Sequence, residues 1–408
     1  MAHFAWGNVY FNAHFAGCLR EEPGNRASFT YDACYLNAGL PALAFTLPLK
    51  SEPFISELGL HPFFDNLVAE GWLEAAQTRL LGKRQASRFE LLLAFGQDCA
   101  GAVSVIDPEP AKFTRAMLDE TDQKELVVMA SRASLSGIQP KLTLIHRDGK
   151  FMPSKKGELS THIAKFQSRH HDDLVMNEYL TTLAFKALVL DDDVADMWLG
   201  EVDGFSEQAL IIKRFDRDDS NTRIHFEEFN QLLGNPSKAK YDGSYKDIAD
   251  FIRTTSENGA SCSDHSSQIY RLYLRILAGL LIGNTDMHLK NFAMFHTPTG
   301  LRLTPSYDQL ASSLYQYKSI ALAIGGAHEL SINMLKPKNI IKLGEEFKLS
   351  SDAIALAYEQ LSAQKKLAKE SIAQAEQGSE LLKNQLINII EKRWVGTFAL
   401  VEQQLLKK

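Results

Sequence analysis

Residues 264–308 constrain the chain most, because an apolar segment there runs into a polar loop and then a hairpin. "DHSSQIYRLYLRILAGLLI" (264–282) opens at Asp264, a residue type suited to helix capping, and turns apolar on almost every face. Such a segment predicts a helix buried at the centre of a helical domain. It ends in "GNTDMHLKNFAMF" (283–295), which sets Asp286 and Asn291 five positions apart. D-x-x-x-x-N is the spacing of the protein-kinase catalytic loop, where the Asp takes or orients a hydroxyl proton and the Asn helps hold Mg2+. Next, 292–295 reads as a strand, "TPTG" as a turn and "LRLTP" as the returning strand, which delivers Tyr307-Asp308 beside the loop again. That return makes Asp308 the candidate second Mg2+ ligand.

Phosphoryl transfer between negatively charged oxygens needs metal charge, a fixed nucleophile and cationic clamps. Hard Mg2+ takes oxygen ligands and usually few from protein, a demand that Asn291 and Asp308 meet. Upstream, "THIAKFQ" predicts a strand with Thr161, Ile163 and Lys165 on one face, so Lys165 is the candidate α/β-phosphate lysine. Glu178 follows thirteen residues later in the helical pattern "DLVMNEYLTTLAFKAL". It serves either to hold Lys165 or as an ordinary solvated carboxylate.

Each residue alone has a plainer reading. Asp286 in "NTD" would cap or turn the chain, and Lys165 would snorkel from a strand edge. Only the ordered set of Asp286, Asn291, hairpin and Asp308 favours catalysis. No second His or Cys stands at ligand spacing from His288, which favours a structural or nucleotide-contacting role over a metal site. "LDDDVAD" (190–196) reads as a solvated acidic turn, and "RHHDD" (169–173) as a loop before a helix cap.

The rest of the chain fits an α+β organisation in three parts. Residues 1–112 read as a β-rich N-terminal subdomain with some helix, including "RFELLLAFG" closed by Gly96. Residues 113–220 read as a small lobe, with a hairpin signal at Asp148-Gly149 and a strand in "ALIIKRFDR". Residues 221–408 read as a helical large lobe. A chain with 45% apolar residues, 23% charged residues and a net charge of −6 is that of a soluble protein without a generally nucleic-acid-coating surface. Neither a secretory signal nor a membrane-spanning run is visible, and the four cysteines lack metal or disulfide spacing. These features predict a cytoplasmic protein with reduced thiols and no membrane partner.

"SLSGIQPKL", "THIAKF", "NEYL", "RFDR", "GNTDMHLKNF" and "LTPSYD" occur in an order and spacing that resemble the HipA family, the serine/threonine kinase toxins of bacterial toxin–antitoxin pairs. "FFDNLVAEG" and "GQDCAGAVSV" extend the resemblance to the N-terminal region, with Val-Ala before Glu70 where many members carry Leu-Pro. The resemblance implies a bilobal protein-kinase-like fold with an added N-terminal subdomain. Asp286 becomes the catalytic base, Asn291 and Asp308 the Mg2+ ligands, and Lys165 an ATP contact. His288 and Lys290 join the nucleotide-binding run, while Lys213, Arg214 and Phe215 stand where the family's hinge meets adenine. Lys213 replaces an acidic residue of some members. Ser136, Gly137, Gln139 and Lys141 belong to the loop that covers phosphate, and Ser134, then Ser136, match the family's autophosphorylated serine. The implied cofactors are ATP and Mg2+. The implied partners are a helix-turn-helix antitoxin that makes most of the operator-DNA contact, and a protein substrate in translation of the aminoacyl-tRNA synthetase type. Small-molecule phosphotransferase activity of the aminoglycoside type and a pseudokinase corepressor are the alternative functions.

Overall fold

The computed structural model of the protein describes residues 5–109, 139–168, 171–257 and 265–405. Two units divide the chain, Met1–Ser168 with Met197–Ala239, and Arg169–Asp196 with Lys240–Lys408.

The first unit holds two antiparallel sheets. One has the strand order β4-β3-β2-β1-β5, formed by β1 (Trp6–Phe11), β2 (His14–Glu22), β3 (Arg26–Tyr31), β4 (Phe54–Ser56) and β5 (Val103–Ile106). β1 alternates strictly between half-buried and buried positions, so Val9 and Phe11 face a core that also takes in Leu19, Phe29, Phe64 and Phe95. Each fully buried aromatic or aliphatic side chain there contributes about 1.5–3 kcal/mol. The helix Arg88–Phe95 starts at a reciprocal capping box between Ser87 and Glu90.

The other sheet runs β7-β6-β8-β10-β9, from β6 (Lys141–Arg147), β7 (Lys150–Pro153), β8 (His162–Lys165), β9 (Met197–Glu201) and β10 (Gln208–Lys213). Asp148 and Gly149 join β6 to β7 with φ of 52° and 74°. Two consecutive positive φ values suit a two-residue hairpin loop, whose twist matches that of its strands. A short β11 (Phe226–Glu228) follows in the same unit.

The second unit is mainly helical. The helix His265–Ile282 is buried along most of its length from Gln268 onward and packs on the helices Tyr245–Glu257 and Glu380–Gly396. Asp264, its expected cap, lies outside the described residues. Gly283 turns the chain away at φ 86°, where an added Cβ would meet Ser313 Oγ at 2.4 Å and Ile389 Cγ2 at 2.7 Å, so only glycine fits. After the loop, β12 (Ala293–Thr297) and β13 (Gly300–Leu303) form the expected hairpin. The helix Leu174–Leu188 packs along Ser351–Ala373.

The acidic stretch 190–196 is not simply a solvated turn. The Asp192 side chain is buried and accepts from Arg271 Nε at 2.9 Å and Arg275 Nη2 at 2.7 Å, tying the turn to the central helix. Among the described residues no helix is long and apolar enough to cross a membrane.

Candidate active site

The loop after Gly283 is held by its own side chains. Asn284 Oδ1 accepts the Asp286 N–H at 3.0 Å, while its Nδ2 donates to the Asp308 carbonyl at 3.1 Å. One amide therefore links the two residues whose carboxylates the sequence marks for chemistry. Thr285 anchors the same loop, donating its N–H to Ser312 Oγ at 2.7 Å and its hydroxyl to the Tyr317 carbonyl at 2.8 Å.

Asn291 Nδ2 donates to the Asp286 carbonyl at 3.0 Å. With the nitrogen engaged, the Asn291 side chain offers its oxygen, the atom a hard cation takes. Asp308 leaves the hairpin in the left-handed region, at φ 54°. Tyr307 Oη donates to the Lys290 carbonyl at 2.7 Å, closing the hairpin exit against the loop where the hairpin began. Asp286, Asn291 and Asp308 thus belong to one bonded assembly, with buried His288 and Lys290 in its backbone.

The Asp286 carboxylate opens on a cavity of about 990 Å³ whose lining includes Tyr241, Asp247, Tyr317, Lys318 and Glu329. Asp286 is exposed to the cavity, yet the protein around its carboxyl desolvates it enough to raise its pKa. The nearby Asp308 charge acts in the same direction, against the Tyr241 hydrogen bond and the Lys240 charge. Tyr241 Oη donates to Asp286 Oδ1 at 3.0 Å.

In the first unit the strand register sets Lys141 on β6 directly opposite Lys165 on β8. Opposed residues of neighbouring strands have Cβ atoms about 4.5–5.5 Å apart, so two ammonium-bearing chains, both buried, emerge side by side on one face. Gln139 is buried and donates Nε2 to the Phe166 carbonyl at 2.8 Å. Ser134, Ser136 and Gly137 lie outside the described residues.

The "KRF" run separates into three fates. Lys213 is exposed and lies 3.4 Å from Asp219. Phe215 packs edge-to-face on Phe226 at 5.2 Å. Arg214 is turned into a buried ion network, with Nε and Nη2 on Asp216 at 2.9 and 2.8 Å, and Nη1 3.4 Å from Asp98. Its backbone N–H also goes to the Thr161 carbonyl, so its guanidinium and amide are both engaged within the protein. Glu178 is buried in the second unit, which removes the solvated-carboxylate reading.

Sequence reasoning missed Asn284 and Tyr241. The first stood in plain sight, two positions before Asp286 in "GNTD". Tyr241 lies 45 positions upstream of Asp286, and no local pattern marks it.

Comparisons with known proteins bear on the family and the fold. Residues 7–106 match the model of the HipA N-terminal domain, and residues 133–379 that of the HipA-like C-terminal domain. A serine/threonine-protein kinase toxin HipA of Shewanella oneidensis is 29% identical over 323 residues, covering 72% of each chain. A solved structure of a Shewanella oneidensis toxin–antitoxin complex of HipA, HipB and operator DNA aligns with a TM-score of 0.73 at 23% identity. That alignment covers 97% of this chain and 99% of the other, and it shows a kinase-like α+β fold with an N-terminal β-sheet domain. With its C-terminal match alone spanning more than half of its length, the chain belongs to the HipA family and is a serine/threonine kinase of that family.

Proposed function

We propose that this kinase is the toxin of a toxin–antitoxin pair and phosphorylates a serine or threonine of a protein used in translation, of the aminoacyl-tRNA synthetase type. Asp286 accepts the proton of the acceptor hydroxyl. The hydroxyl oxygen forms its bond to the γ-phosphorus of ATP as the bond to the ADP oxygen breaks. The bonding around Asn284 carries this reading, because it joins Asp286 to Asp308 while Asn291 is fixed with its oxygen available. That donor set fits Mg2+, which, held by Asn291 and Asp308, supplies positive charge against the phosphate oxygens.

Lys141 and Lys165 bind the α- and β-phosphates, and the run of Ser136, Gly137 and Gln139 covers them. His288 and Lys290 complete the nucleotide contacts. With the Arg214 side chain and backbone N–H engaged within the protein, the adenine edge falls to Lys213 and Phe215. Autophosphorylation at Ser134, or second at Ser136, adds about −1.5 to −2 charges beside the triphosphate and shuts off nucleotide binding. The partner is a helix-turn-helix antitoxin that carries most of the operator-DNA contact, and the site of action is the cytoplasm.

Phosphoproteomics after brief induction tests the reading. Wild type should arrest growth and produce phosphopeptides on a translation protein and on the serine loop, all absent from Asp286→Asn. Normal growth with no Asp286-dependent phosphoprotein would sink the toxin reading in favour of a small-molecule acceptor.

A further inference from the structure

Among the described residues, the hydrogen bond to the Asp286 carboxylate comes from the phenol of Tyr241, at 3.0 Å from Oδ1. The Tyr241 ring is 47% exposed and lines the same cavity as Asp286, so core packing alone does not account for it. It is nonetheless fixed in place. Its ring stands edge-to-face to the His288 imidazole at 5.1 Å and 83°. The carbonyl of the preceding Lys240 accepts the Leu289 N–H at 3.0 Å, and the His288 N–H goes to the Asp286 carbonyl at 2.9 Å. The tyrosine is thus braced against the loop whose carboxylate it holds.

An aspartate's terminal torsion is broad and roughly two-fold, so a carboxylate at a cavity wall has no fixed aim unless a donor sets it. The Asn291 amide does not supply this, because it bonds the Asp286 backbone. We propose that Tyr241 is the positioning residue for Asp286, holding Oδ1 so that the other carboxylate oxygen faces an acceptor hydroxyl arriving through the cavity. The inference rests on Asp286 being the base. It separates two parts of one side chain, since the hydroxyl acts through Asp286 and the ring packs on His288.

The test compares wild type, Tyr241→Phe, Tyr241→Ala and Asp286→Asn as full chains. Mg·ATP turnover is measured with water and with a pool of serine peptides as acceptors, alongside melting temperature. Tyr241→Phe keeps the ring and should lower kcat by about 10-fold or more, the loss of one hydrogen bond to a charged group. The KM for ATP and the melting temperature should stay within error of wild type. In the Asp286→Asn background the same substitution should cost little further, because residues acting as a unit are not additive. Wild-type kcat in Tyr241→Phe would overturn the proposal, as would a faster enzyme, which would mean that the phenol blocks the acceptor's place. An equal further loss without the Asp286 carboxylate would overturn it too. Full activity in Asp286→Asn would instead remove the base reading on which it rests.

Discussion

Replacing Asp98 by Asn should destabilise the first unit by about 3–5 kcal/mol, the cost of leaving buried charges without a partner. Asp98 Oδ1 lies 2.8 Å from Arg217 Nη2 and 3.5 Å from Arg223 Nη2, and Oδ2 accepts from Ser160 Oγ at 2.6 Å. Asp216, the other carboxylate, takes Arg214, Arg217 Nη1 at 2.9 Å and the Gly101 N–H at 2.8 Å. Three guanidiniums thus share two carboxylates, and all five side chains are at most 6% exposed. The isosteric amide leaves Asp216 alone against three buried cations. For a unit of this size the loss corresponds to a fall in melting temperature of roughly 6–20 °C. Scanning calorimetry and urea unfolding measure it, with Glu57→Gln as control, since the exposed Arg26–Glu57 pair at 3.7 Å should count for less than about 1 kcal/mol. Burial opposes ionisation of both carboxylates, yet the arginines hold them below the usual carboxylate range. Depressed folded-state pKa values contribute stability that is fully present above the unfolded value of about 3.9 and is lost as pH falls toward the folded ones. Asp98→Asn should therefore lose part of the wild type's steep acid destabilisation below about pH 4, and the gap between them should narrow there. A variant within about 1 kcal/mol of wild type at pH 7 would refute the reasoning.

Asp308→Asn should keep its fold, because Asn tolerates the left-handed backbone, and lose roughly 10²-fold or more in phosphoryl transfer; near-normal turnover would remove Asp308 from the chemistry. Mg·ATP should raise the melting temperature of the wild type and fail to do so in Lys165→Ala, whereas an equal shift from Zn2+ without nucleotide would point to a nitrogen-based metal site instead.

What could be read in advance was what lies close in sequence. The hairpin at Asp148-Gly149 follows from two residues that accept positive φ, and β12–β13 from a turn between two short apolar runs. Asp286 and Asn291 are five apart, and Asn291 does bond back onto the Asp286 carbonyl. What escaped depends on partners far along the chain. Asp192 looks like one carboxylate of a solvated turn until Arg271 and Arg275 arrive from 79 and 83 positions downstream. Arg214 looks like a hinge residue by its motif, yet one of its carboxylate partners, Asp98, stands 116 positions upstream. The Lys141–Lys165 juxtaposition is a matter of register, which neither strand states alone.

Asn284 shows why the loop and the hairpin exit must be built together. A non-glycine residue at positive φ is uncommon and persists only where its surroundings hold it. Asp308 sits at φ 54° with its carbonyl taken by Asn284 Nδ2, and Gln309 beside it offers Oε1 to the same nitrogen at 3.4 Å. The other end of Asn284 holds the Asp286 N–H. Just before it Gly283, at φ 86°, ends the central helix with no Cβ to push Ser313 aside. Helix end, loop and hairpin exit therefore form one rigid device. A rigid device suits phosphoryl transfer, where catalysis comes mainly from fixed charge and position rather than from covalent chemistry by the protein.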